Sequence, residues 1–236
     1  MPRPVTEVGR VVSLWRYPVK SLAGEALREA DVHWHGVAGD RRWAFVQDRL
    51  VRSDFPWLTI RERSDMLQFR PSLVDPARPD ESPVTVRTPA GEELDVADPR
   101  LAEALGGGVR LLKQNRGVFD AAPLSLIGMG TVARIGELVG AELDPRRFRP
   151  NLLVDAGEPF AEDAWVGRTL RIGEMRMRVD RRDPRCVVVN VDPGSARRDP
   201  AVLRAIARER DACLGVYGTT VEPGRVAVGD AIVLTS

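Results

Sequence analysis

The segment Asp183-Pro184-Arg185-Cys186-Val187 places a thiol directly after a run of guanidinium groups, where Arg168, Arg171, Arg176, Arg178, Arg181, Arg182 and Arg185 face only Glu174, Asp180 and Asp183. Positive charge favours thiolate over thiol, which makes Cys186 a candidate nucleophile or soft-metal ligand. The valines that follow it suit a buried core cysteine equally well. Cys213, between Ala212 and Leu214, reads as structural. Two further basic segments are short: Tyr17-Pro18-Val19-Lys20-Ser21 and Arg146-Arg147-Phe148-Arg149-Pro150-Asn151. An ammonium, a hydroxyl and several guanidiniums are the donors that hold a phosphate or a polar heterocycle through charge-assisted and bidentate hydrogen bonds. Lys20 stands out because it is one of only two lysines, with Lys113, among 35 basic residues. His33 and His35 are the only histidines. Two apart on a strand they share a face, but no third ligand is evident, and a strand at least half exposed accounts for them. No phosphate-binding glycine loop, nucleophile elbow or helical histidine pair is present.

The elements that must position these residues are mostly short strands. Val8 to Trp15, Ala30 to Trp34, Trp43 to Gln47 and Val84 to Arg87 are rich in Val, Trp and Phe and are punctuated by Gly, Pro and Asp. Val84 to Thr88 and Glu92 to Val96 form a hairpin across Pro89-Ala90-Gly91, whereas Pro71 to Pro83 reads as loop. A short helix from Pro99 to Leu105 ends at Gly106-Gly107-Gly108, the expected seam of the chain. Thr131 to Val139 is an amphipathic helix capped by Gly140, and Asp199-Pro200 opens another that buries Leu203 and Ile206. Leu170 to Val179 folds as two strands turned at Gly173-Glu174, Cys186 stands at the entrance of a strand through Val189, and Leu214 to Tyr217 and Ala231 to Leu234 close the fold.

Composition narrows the class. A chain of 236 residues with 43% hydrophobic and 29% charged residues buries a sizeable core. A net charge of +1 excludes a general attraction to nucleic acid or to an anionic membrane. Two cysteines supply neither a four-thiolate zinc site nor an iron–sulfur cluster. With no leading apolar segment and no apolar run near the ~20 residues that span a bilayer, a cytoplasmic protein is expected.

Taken together, six short segments resemble the MOSC family, named after the C-terminal domain of molybdenum cofactor sulfurases and commonly preceded by a β-barrel domain. They are Tyr-Pro-Val-Lys-Ser at 17–21, Gly-Asp-Arg-Arg-Trp at 39–43, Arg-Phe-Arg-Pro-Asn at 147–151, Trp-Val-Gly at 165–167, Arg-Cys at 185–186 with Asp-Pro at 192–193, and Val-Gly-Asp at 228–230. The resemblance implies an α+β, predominantly β fold: an N-terminal β-barrel-like domain over 1–115, then a MOSC β-barrel domain with flanking helices over 116–236, with a cofactor in the cleft between them. It also implies that Cys186 is the catalytic residue and the protein ligand of a molybdenum cofactor. Lys20, Ser21 and Arg41 would hold the cofactor phosphate, Arg149 and Asn151 its pterin portion, and Ser125 and Arg185 would also contact the cofactor.

The nearest relatives so implied are amidoxime-reducing enzymes. The activity expected from them is two-electron removal of oxygen from N-hydroxylated or N-oxide substrates, with electrons from a separate ferredoxin, flavoprotein or cytochrome. Pyridoxal phosphate binding is not expected. The alternatives are a carrier that delivers molybdenum cofactor or sulfur through Cys186, or a pathway-specific biosynthetic enzyme on the same scaffold. Two stretches depart from the family pattern. Gly194-Ser195-Ala196 and a basic segment follow Asp192-Pro193 where Thr-Gly is common, and Ser53-Asp54-Phe55 stand where a polar pair including arginine is common. Both are expected to border the substrate.

Overall fold

The computed structural model describes residues 6–235. Seven strands close into a barrel: β1 (Thr6–Arg16), β2 (Leu124–Gly128), β3 (Leu152–Asp155), β4 (Thr169–Ile172), β5 (Met175–Pro184), β6 (Cys213–Glu222) and β7 (Ala231–Thr235). Their order is β3-β2-β6-β5-β4-β7-β1, and β1 pairs back onto β3, so no edge is left open. All neighbours are antiparallel except β2 and β3. The alternation that builds the barrel is plain in β5, where Met175, Met177 and Val179 are buried and Arg176 and Arg178 are exposed. The inner core joins these to Leu14, Leu124, Leu152, Leu170 and Ile232.

Three helices flank the sheets: α1 (Pro99–Ala104), α2 (Met129–Val139) and α3 (Pro200–Arg210). Val132 and Ile135 of α2 and Val202 and Ile206 of α3 pack with Trp15, Ile127, Leu153 and Leu214 on the barrel's outer side. Asp199 caps α3 by accepting the Ala201 N–H at 2.9 Å, and Pro200 fills its first turn, as the sequence predicts. Leu203, expected to be buried there with Ile206, is only half-buried.

A second layer comes from the stretch between β1 and β2. Trp43–Gln47 pairs with Val109–Lys113, and Arg70–Leu73, Val84–Arg87 and Glu93–Asp95 form a three-stranded sheet. Phe45, Leu58, Ile60, Met66, Val86 and Leu101 fill their core, which Val191 from the second half completes.

Three expectations change. The segment expected as loop from Pro71 begins as a strand, because Pro71 and Leu73 turn inward while Arg70 and Ser72 face out. The glycine run at 106–108 ends α1 but is no seam, since the chain continues straight into Val109–Lys113 within the same layer. Cys186 is not at a strand entrance. β5 ends at Pro184, and Val187–Asn190 winds as a 3₁₀ turn with Cys186 as its extended N-cap. The turn sends Val189 and Val191 into two different cores and leaves Val187 exposed, so packing overrides the β-propensity of three valines.

β1, from the 1–115 segment, is a stave of the barrel that the second half completes. This brings residues from both ends of the chain to one place. Among the described residues, no helix is long and apolar enough to cross a membrane.

Candidate functional site

A cavity of about 280 Å³ opens between the barrel and the second layer. All eight residues singled out from the sequence line it: Lys20, Ser21, Arg41, Ser125, Arg149, Asn151, Arg185 and Cys186. Ser21, Arg41 and Arg149 adopt left-handed backbone conformations (φ 68°, 50° and 53°), three of the seven non-glycine residues with positive φ among those described. Such conformations cost of order 1–3 kcal/mol each and persist where the surroundings fix them, typically at functional sites.

Tyr17 organises the side of the cavity that carries Arg41 and Arg149. Its buried ring lies against two guanidiniums, Arg149 at 4.3 Å and Arg41 at 4.6 Å, and its hydroxyl donates to the Pro150 carbonyl at 3.0 Å. Asp40, wholly buried, pairs with Arg41 and accepts the Tyr17 N–H at 2.7 Å. Arg41 Nη2 donates to the Arg149 carbonyl at 3.2 Å, and Arg149 Nη1 to the Leu22 carbonyl at 2.8 Å. Burial pushes Arg149 down to about 10, and the neighbouring Arg41 pushes the same way. Lys20 is buried, donates to the Val118 carbonyl at 3.1 Å and pairs with Asp120. Burial lowers the Lys20 ammonium, against the pull of Asp120. For Asp120 itself burial acts upward but is outweighed by Lys20, Arg61 and Arg41, which hold the carboxyl below its usual range.

Asn151 is a brace. Its Oδ1 accepts the Ser125 N–H at 3.2 Å, and its Nδ2 donates to the Trp15 carbonyl and to Asp40 Oδ2, each at 3.2 Å. The amide thus ties β1, β2 and Asp40 together under the cavity. Arg185 donates to the Leu214 carbonyl at 2.8 Å and the Phe148 carbonyl at 2.9 Å. Its Nη1 also lies 2.8 Å from Asp183 Oδ2, an ion pair without the alignment of a hydrogen bond. Burial pushes Asp183 up to about 6, although Arg185 and Tyr217 pull it down.

Cys186 is half-buried and free, as is Cys213. The Cys186 sulfur accepts from Arg61 Nη2 at 3.7 Å. Arg61, Asp120 and Tyr217 are among the lining residues that sequence reasoning missed. None belongs to a recognisable motif, and only long-range packing brings them here. His33 meets Asp80 alone, at 3.3 Å on the surface, and among the described residues no three His, Cys, Asp or Glu side chains cluster as a metal site. The cavity itself therefore offers one thiol, and a metal held there would bring its remaining ligands with it.

The lining carries six cations, Lys20, Arg41, Arg61, Arg147, Arg149 and Arg185, against two carboxylates, Asp120 and Asp183. Three buried guanidinium nitrogens of these residues have no hydrogen-bond partner among the described residues: Arg147 Nε, Arg149 Nη2 and Arg185 Nη2. A buried donor without a partner costs about 1–3 kcal/mol, so the cavity suits an anion rich in acceptors. These residues fit a phosphorylated, sulfur-bearing metal cofactor.

The sequence profile of the MOSC domain matches residues 113–233, and that of the MOSC N-terminal beta barrel domain matches residues 8–115. The chain belongs to the MOSC family. This MOSC protein is 22% identical to human mitochondrial amidoxime-reducing component 1, over 98% of the chain and 85% of the relative. It is 24% identical to the molybdenum cofactor sulfurase of Drosophila mojavensis over 88% of the chain but only 31% of that longer protein. The crystal structure of the YUAD protein from Bacillus subtilis shares the fold, with a TM-score of 0.55 at 14% identity, covering 98% of this chain and 97% of that one.

Proposed function

We propose that this MOSC protein is a molybdenum-cofactor-dependent reductase that removes oxygen from N-hydroxylated or N-oxide substrates. The observation that carries the reading is the meeting of one free thiol, Cys186, with a cavity lined by six cations that include partnerless buried guanidinium nitrogens. The similarity to an amidoxime-reducing component over almost the whole chain supports it. Two electrons and two protons convert an N–OH group into N–H and water, or an N-oxide into the amine and water. The electrons come from a separate ferredoxin, flavoprotein or cytochrome. Free cysteines are in keeping with work in the cytoplasm.

When bound, the molybdenum cofactor supplies the two-electron oxygen chemistry. Cys186 would be its thiolate ligand, Lys20, Ser21 and Arg41 would hold its phosphate, and Arg149, Arg185 and Ser125 would line its pterin portion. Asn151 acts from below, fixing the strands that carry Ser125 and Arg149. Tyr17, in contact with both Arg41 and Arg149, keeps two like charges in place until an anion neutralises them. Asp183 is the lining carboxyl that exchanges a proton closest to neutrality.

Turnover tests the reading. Holoprotein with dithionite-reduced methyl viologen and benzamidoxime should form benzamidine with two equivalents of viologen oxidised per product, and Cys186→Ala should form none. Fully loaded protein that reduces no amidoxime, hydroxylamine or N-oxide would overturn it. The carrier reading, favoured by the similarity to a molybdenum cofactor sulfurase, would then lead.

A further inference from the structure

The two stretches that depart from the family pattern meet at a single side chain. Arg198, from the basic segment after Asp192-Pro193, donates Nη2 to the carbonyls of Ile60 at 2.9 Å and of Arg61 at 3.0 Å. Phe55, from the other departing stretch, lies against the Arg61 guanidinium, 4.8 Å from ring centroid to Cζ. Arg61 is thereby fixed at its backbone by one departure and at its head by the other. The segment that carries Arg198 is itself anchored. Asp192 accepts from Arg147 at 3.1 Å and from the Ser195 N–H at 2.8 Å, and Gln68 donates to the Gly194 carbonyl at 3.1 Å.

The guanidinium uses only part of its capacity. Nη2 reaches Cys186 Sγ at 3.7 Å and Asp120 Oδ2 at 3.4 Å, while Nε and Nη1 make no hydrogen bond among the described residues. Its side chain is 33% exposed, at the cavity beside the thiol. Asp120 does not satisfy it, because that carboxylate is shared with Lys20, which holds it more closely. A guanidinium held on a ring, with Nε and Nη1 free on separate edges, can give a carboxylate a charge-assisted hydrogen bond. Apolar residues of the same cavity lining include Ile60, Phe119, Ala121, Ala122 and Val188.

We propose that Arg61 is a specificity-determining residue that anchors a carboxylate on the substrate, so that the preferred substrates are N-oxygenated compounds carrying an acidic group beyond an apolar or aromatic spacer. This rests on the proposed reductase function and narrows its substrate class. Phe55 and Arg198 act through Arg61 as positioning residues.

The test is calorimetric titration of oxidised protein, without electron donor, using 4-carboxybenzamidoxime and benzamidoxime as probes. A charge-assisted pair corresponds to at least about a tenfold preference for the carboxylated probe in the wild type. In Arg61→Gln the ratio of the two affinities should collapse towards one, and Arg61→Lys, which keeps the charge but loses the guanidinium plane stacked on Phe55, should fall between. Equal affinities in the wild type, or an undiminished ratio in both variants, would overturn the proposal. Circular dichroism on each variant confirms that the fold is kept, and the lysine variant preserves the test should the glutamine variant unfold. Molybdenum is determined on the same samples. Molybdenum-free wild type would count against the reductase reading alone, because the carboxylate preference is read by binding and needs no turnover.

Discussion

Asp183 is 1% exposed, and burial pushes its carboxyl up to about 6 from an ordinary 3.8. The groups that face it are Arg185, Tyr217, Arg41 and Arg181, all of which favour the charged form without outweighing burial. The folded state therefore keeps this proton where the unfolded chain has released it. The resulting stabilisation is complete below about pH 4 and is lost as pH rises through about 6, a change of about 2–3 kcal/mol. Asp120 and Asp192 are held low and act in the opposite sense. The contribution is therefore read as the difference between wild type and Asp183→Asn in urea unfolding from pH 4 to pH 7. That difference should shrink by this amount as pH rises, and a constant difference would contradict the assignment. At this scale the sequence was most legible where chemistry sits in contiguous motifs, as with Lys20-Ser21, Arg149-Pro150-Asn151 and Arg185-Cys186. Arg61 was not legible. Its role follows from carbonyl clamps that span 137 and 138 positions to Arg198 and from a thiol 125 positions away.

Elements were legible where local physics decides them. The helix ending at Gly140, the cap at Asp199-Pro200 and the hairpin closed by the Thr88 N–H to the Glu92 carbonyl all lie where capping and turn chemistry put them. Gly140 takes φ 69° at the end of α2, where Ala141 N–H returns to the Gly136 carbonyl at 3.0 Å. A Cβ there would touch nothing within 4 Å, so the cost of Gly140→Ala is conformational alone, about 1 kcal/mol. Denaturant midpoints at unchanged slope should report that loss, and an unchanged midpoint would contradict the left-handed cap. The turn after Cys186 was misread because Val187-Val188-Val189 looks like a strand locally. Two separate cores claim its side chains. Cys186 is consequently presented at the cavity on a short turn and not tied into a sheet ladder.

The barrel closes through contacts that no local pattern reveals. β1, at the start of the chain, pairs with β3 and with β7 at its end, and this closure sets Tyr17 and Lys20 beside Arg149 and Cys186. Predominant β character, flanking helices and a site fed by both halves were legible. The sharing of β1 across the halves was not, because it depends on registers such as Leu14 opposite Leu152 and Gly9 opposite Ile232. The molecule places one usable thiol in a cationic cleft, and the whole account depends on what that thiol holds. The most direct measurement is the molybdenum-to-protein ratio, with the fluorescence of the oxidised pterin, for wild type, Cys186→Ala and Cys213→Ala made in a cofactor-competent host. Near-stoichiometric molybdenum and pterin in wild type and Cys213→Ala, with molybdenum lost or its spectrum altered in Cys186→Ala, is the predicted result. Absence of both signals from the wild type, beside a loaded control enzyme from the same cells, or an identical molybdenum spectrum in Cys186→Ala, would contradict it.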